Sequence, residues 1–203
     1  MRSARIALTA ALAIAPVLAL ATPASAAAVT FACQAQTPIG PVNASVTQAM
    51  EAKAPETVAA GAEFELVFDP PASTIPGAIN GVKVREVKNF KLSVPVPANS
   101  TFVSVALSGG SGVGTPTITQ EGGTMVVTLA GPLKGGATIE IPTITVKLKA
   151  GASGTIESKL GGTGFDKPGL TFVGTAEMGP LPIDAKVACY PNPNPALTTT
   201  KIV

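Results

Sequence analysis

The chain has 203 residues, with 14 basic and 12 acidic side chains, no histidine, no tryptophan and a single tyrosine. That composition excludes Ser-His-Asp and Cys-His catalytic units and any zinc site built on imidazole. With charged residues at only 13% and no concentrated basic field, nucleic-acid binding is excluded too.

The chain begins with an export pattern. Arg2 and Arg5 form a basic segment, residues 6–21 an apolar run, and Ala24-Ser25-Ala26 a small-x-small cleavage site. Residues 1–26 are therefore expected to be a secretory signal peptide. The alternative is an uncleaved anchor, but Pro16 interrupts the run and its length is short for a bilayer span. Cleavage would remove Arg2 and Arg5, leaving 177 residues with 12 basic and 12 acidic side chains, formally neutral. The product is expected outside the cell or held at its wall, with no transmembrane anchor.

From there the apolar residues alternate. Val29, Phe31 and Cys33 share one phase, which puts the thiol on the apolar face. Residues 44–54 carry a weak helical stripe of Val46, Met50 and Lys53, while Ser45 and Thr47 suit a strand equally well. Phe64, Leu66 and Phe68 alternate with Glu63 and Glu65; Phe90, Leu92, Val94 and Val96 follow, then Val103, Val105 and Leu107. Met125, Val127 and Leu129 come next, and Ile139 and Ile141 change phase to Ile144, Val146 and Leu148 at Pro142, where a bulge or an edge is expected. Ile183, Ala185, Val187 and Cys189 close the series with the second thiol again on the apolar face.

Turn signals separate these runs: Pro70-Pro71, Asn80-Gly81, Gly109-Gly110, Gly122-Gly123, Gly135-Gly136 and Gly161-Gly162. About ten short strands with glycine turns predict an all-β, antiparallel sandwich of Ig-like or jelly-roll-like form. One domain is expected over residues 27–190, followed by an extended, proline-rich tail at residues 191–203 that leaves the fold. The rival plan divides the chain into two sandwiches at the glycine-rich loop of residues 108–112, otherwise read as a flexible hairpin connection. Two inward cysteines on the terminal strands of an exported chain are expected to pair as a Cys33–Cys189 disulfide, which favours the single domain. Lys83, Arg85, Lys88 and Lys91 read as a solvated strand edge.

No catalytic, cofactor-binding or metal-binding residue is assigned. The chain has no G-x-S-x-G elbow, no C-x-x-C pair and no dense calcium loop. Carboxylates are the remaining route to catalysis, either Glu63 with Glu65, both expected in solvent, or Asp69, Asp166 and Asp184 from loops.

Several phrases carry a resemblance: Phe31-Ala32-Cys33 with Thr37-Pro38-Ile39-Gly40, residues 94–101, residues 107–112, Gly161-Gly162-Thr163, residues 168–172, and Cys189-Tyr190-Pro191-Asn192-Pro193. Together they resemble a family of secreted actinobacterial proteins of unknown function, often labelled cyclase or dehydratase without a known catalytic motif. The resemblance spans nearly the whole exported chain and transfers no functional residue. It adds a lyase or cyclase using loop carboxylates as one alternative. The residues themselves point first to a non-catalytic binding or structural module that meets an unidentified protein or envelope component. A second alternative is a carrier holding an apolar envelope lipid between the sheets. An open interior cavity would favour the carrier, and a filled core would favour surface recognition.

Overall fold

Alternation with period two makes strands wherever one face can be buried, and it does so throughout this chain. The computed structural model describes residues 25–177, 179 and 181–203; of the segment 1–26 expected to be a signal peptide, residues 1–24 lie outside the described residues. Among the described residues there are seventeen strands and no helix. In chain order they are β1 (Ser25–Thr37), β2 (Gly40–Lys53), β3 (Thr57–Val58), β4 (Glu63–Phe68), β5 (Ser73–Thr74), β6 (Ala78–Ile79), β7 (Val82–Pro95), β8 (Ser100–Ser108) and β9 (Thr117–Glu121). They continue as β10 (Thr124–Leu129), β11 (Leu133–Lys134), β12 (Thr138–Ile139), β13 (Thr143–Ala150), β14 (Gly154–Ser158), β15 (Leu170–Glu177), β16 (Pro182–Pro191) and β17 (Thr198–Ile202).

The main sheet runs β8-β13-β4-β2-β1-β16-β15-β7-β10-β9 with antiparallel neighbours, and its terminal strands β8 and β9 approach each other. It is therefore rolled nearly shut, an all-β sandwich formed by one curled sheet. The sheet draws strands from both sides of the loop at residues 108–112. The core forms where distant strands of the sheet meet face to face: Leu66 and Phe68 of β4, Ile144, Val146 and Leu148 of β13, Met125, Val127 and Leu129 of β10, and Val94 of β7 are all buried in one cluster. Each such side chain contributes about 1.5–3 kcal/mol of hydrophobic stabilisation. Glu63 and Glu65 point the other way, into solvent.

β1 and β16 are neighbours, and Cys33 stands directly opposite Cys189, joined by a disulfide across a sequence separation of 156 residues. Asn80-Gly81 and Gly122-Gly123 form two-residue hairpins, with all four residues at positive φ, as the twist of a tight hairpin demands. Residues 44–53 settle as strand: β2 pairs along the length of β1, which leaves no room for the helical alternative.

Four local expectations change. The basic residues of β7 do not line an edge, because β15 pairs along one side of the strand and β6, β11 and β10 in turn along the other. Pro142 makes neither bulge nor edge; it is buried in the break between β12 and β13, where the chain passes from a two-stranded ribbon into the main sheet. The loop at residues 108–112 is pinned, with Ser111 and Glu140 exchanging backbone hydrogen bonds of 3.0 and 2.9 Å. The tail also returns to the body. β17 pairs with β14 and β3, and Leu197, Thr200 and Ile202 are buried because apolar or hydrogen-bonded side chains alternate there as in any inner strand. Thr200 Oγ1 donates to the Pro55 carbonyl at 2.7 Å, and Asn194 Nδ2 to the Leu160 carbonyl at 2.8 Å.

Candidate ligand-binding site

One half of the interior is filled by large apolar side chains; in the other, small residues on the inward phase of four strands stand among the large ones. On the inward phase β1 and β2 bring Ala35, Ala44 and Val46, β15 brings Gly174 and Ala176, and β16 brings Ala185 and Val187. Side chains of this size cannot span the space between facing layers, and they leave a cavity of about 400 Å³. Its far wall is the connection around Ile75, Pro76 and Ile79, with Ile139 and Ile141 beside it. The floor is Phe31, Cys33, Leu92 and Leu170, so the disulfide closes the inner end.

β7 enters the wall by an irregular spacing. Val84, Val87, Phe90 and Leu92 all face the cavity, three apart and then two, because the β7–β15 register shifts twice and Asn89 adopts a positive φ of 53°. Bulges of this kind re-aim side chains that strict alternation would send outward. No Asp, Glu, Lys or Arg lines the cavity; its polar side chains are uncharged, among them Gln48, Thr74 and Asn80. Many of the apolar lining residues are only half-buried, and Val42 remains 38% exposed, so the cavity communicates with solvent.

The charged groups lie on the outside of the same wall. Thr175 donates to Asp184 Oδ1 at 2.5 Å, and Lys88 Nζ lies 3.2 Å from Asp184 Oδ2 and 3.4 Å from Glu86 Oε1. The Thr175 hydroxyl, followed by Lys88, holds the Asp184 carboxyl below its ordinary range; the bond to Asp184 is the largest cause raising the Lys88 ammonium above its own.

The three acids named from sequence are not brought together. Asp69 accepts from Thr143 Oγ1 at 2.6 Å, and its amide donates to Glu51, which faces Ala26 on β1. Asp184 lies beyond Lys186, which faces Gln36. Ten residues of β1 separate those levels, about 30 Å along the strand. Asp166 sits between them in height, beside Phe165, whose ring meets Tyr190 edge-on at 5.2 Å. Without convergence they form no acid–base pair, and the carboxylate-based lyase reading loses its support. The cavity walls, by contrast, were missed in sequence. Small residues at alternate positions in neighbouring strands were the available signal, and the bulges of β7 concealed the rest.

No protein-family model matches the chain, and no curated protein matches it. Among solved structures the chain is similar to a protein of the actinobacterium Corynebacterium diphtheriae described as membrane anchored, at 20% identity and a TM-score of 0.55. That likeness covers 88% of this chain and 38% of the other, so the present chain spans well under half of its neighbour's length, and what the two share is fold. A cohesin module of a Clostridium perfringens family 33 glycoside hydrolase aligns over 75% of this chain and 94% of its own, at 14% identity and a TM-score of 0.35.

Proposed function

We propose that the chain is an exported, non-catalytic β-sandwich module that binds one hydrocarbon chain of an envelope lipid in its interior cavity and carries it. The observation supporting this reading is the open, uncharged cavity of about 400 Å³, which lies within the range of small-molecule sites, about 300–1,000 Å³. An apolar space of this size gains nothing from water, since water there finds few partners, whereas hydrocarbon is favoured. Ten buried methylenes at about 0.8 kcal/mol each give about 8 kcal/mol, the scale of a micromolar complex before immobilisation costs. The absence of cationic lining residues favours a chain buried tail-first, with any charged head left at the mouth. The envelope as setting rests on the export pattern and the disulfide, and the Corynebacterium protein's description as membrane anchored fits it.

Native mass spectrometry of protein purified from its secreting cells without detergent tests the reading. A discrete lipid mass released on collisional activation is expected. Protein that carries no lipid and takes up no dansylated fatty acid refutes the carrier, leaving surface recognition as the function of the sandwich.

A further inference from the structure

Three turns stand side by side at the end where the exposed lining residues Val42 and Asn80 bring the cavity to the surface. β1 turns into β2 through Pro38-Ile39, β6 into β7 through Asn80-Gly81, and β15 into β16 between Glu177 and Pro182. The register fixes their adjacency. Gln36 of β1 faces Lys186 of β16, while Glu177 faces Pro182 on one side and Lys83 of β7 on the other. All three turns also contribute to the cavity wall, through Thr37 and Val42, Ile79, and Ala176 and Ile183.

Two of these tips carry large aliphatic side chains into solvent: Ile39 is 80% exposed and Leu181 72%. Turns normally favour Gly, Pro, Asn, Asp and Ser, and an isolated exposed aliphatic would mean little. Two on neighbouring tips, around the mouth of an apolar cavity, make a projecting apolar rim. The charges behind the rim nearly balance: Lys83 pairs with Glu177 at 3.1 Å, Lys88 lies between Glu86 and Asp184, and Arg85 and Lys186 on the same strands offset the extra acid. Such a rim matches a surface that is apolar just below a layer of balanced charge, as a zwitterionic bilayer is, better than a strongly anionic one.

We infer that this end of the molecule docks on a lipid bilayer, with Ile39 and Leu181 dipping into the boundary between headgroups and acyl chains. The mouth then faces the acyl region, and a hydrocarbon chain passes between membrane and cavity without crossing water. What passes rests on the carrier reading; the docking does not.

The test is flotation of the exported chain with phosphatidylcholine vesicles, comparing wild type with the double variant Ile39→Asp/Leu181→Asp. Wild type is expected to float with the vesicles and to stay bound in molar salt, where charge interactions are screened to about 3 Å. The double variant is expected to lose about tenfold or more in vesicle affinity. Both side chains are exposed, so its thermal midpoint should match wild type, and it should still take up a dansylated fatty acid from solution. Failure of wild type to float, release by salt, or undiminished floating of the variant overturns the inference. So does a wild-type dimer in sedimentation velocity that the substitutions dissociate while neither protein floats, because the rim would then bind a second copy. Tip-dependent floating by a protein that takes up no fatty acid upholds the docking and refutes the carrier.

Discussion

Cys33 and Cys189 face each other across the β1–β16 ladder with Cα atoms 4.0 Å apart, although 156 residues separate them in sequence. The bond joins strands already paired, so its main action is on the unfolded chain. Closing a loop of that length restricts the unfolded ensemble by about 5 kcal/mol in the chain-entropy view. Both cysteines are buried, Cys33 at the inner end of the cavity, which means reduction requires opening the sheet. Reduction under denaturing conditions followed by thiol blocking, or a Cys33→Ala/Cys189→Ala double variant, is expected to lower stability by about 2–5 kcal/mol in urea titrations. An unchanged midpoint would mean that the β1–β16 ladder alone holds the chain ends.

The Gly161–Gly169 neck gives a second prediction. Ser93 of β7 is clasped between them, donating to the Gly169 carbonyl at 2.7 Å and accepting from the Gly161 amide at 2.9 Å, and the Gly169 amide donates to the Cys189 carbonyl at 2.9 Å. A Cβ at Gly169 would collide with the Gly161 carbonyl. Gly169→Ala is therefore expected to cost about 3 kcal/mol, lowering the thermal midpoint by roughly 6–12 °C. Gly122→Ala is the control. Its φ of 52° carries backbone strain but no atom lies within 4 Å of the added methyl, and about 1–2 kcal/mol is expected. Equal losses in the two variants would show that the neck yields.

Much of this architecture was legible because alternation and burial are the same fact seen twice. Phe64, Leu66 and Phe68 read as an inner phase and are one; Val29, Phe31 and Cys33 likewise; and the pairing of the thiols followed from both lying on that phase. The cavity was not legible. Ala35, Ala44, Gly174 and Ala185 are small residues that pack tightly in most sheets, and only the facing wall at residues 75–79 determines whether they leave a void. Val87 falls out of phase with Val84 and Phe90 because of the bulges on either side of it, so a period-two reading breaks off within the cavity wall. The position of β7 was misread for a related reason. Lysines on an outward face look alike whether their strand ends a sheet or lies within it. The tail failed on its prolines, which mark a turn back toward β14 and not an exit.

The outer face of β15 and β16 should show a modest pH dependence. Asp184 has its carboxyl lowered by Thr175 and then Lys88, so the unfolded chain binds the proton first. The associated stability is present above the ordinary carboxylate range near 3.8 and is lost as pH falls through the lower folded value. Lys88 is raised, so its share is present below 10.5 and lost as pH rises through the higher folded value. The Asp184 and Lys88 side chains are 55% and 31% exposed, and screening keeps both effects small. Thr175→Val removes the larger cause and is expected to move the Asp184 carboxyl back toward its ordinary value, read by carbon-13 titration. Lys88→Met should move it less. The reverse order would place the ammonium ahead of the hydroxyl.

Gly174 offers a way to separate binding space from slack packing. It faces the cavity without a positive φ, and an added Cβ would meet only the Phe172 ring edge at 3.8 Å, an ordinary contact. Gly174→Val therefore grows into the void without displacing a neighbour. Replacing a strand glycine by a β-branched residue and filling apolar space should each stabilise the fold, together by about 1–2 kcal/mol. The same methyls occupy volume that a hydrocarbon chain needs. The expected signature is opposite in sign for two readouts on one variant: a higher thermal midpoint and a weaker uptake of dansylated fatty acid, by about tenfold. Most mutations that weaken binding through general damage lower both. A variant that is stabilised but binds the probe as wild type does would show that the void is a packing defect and not the site.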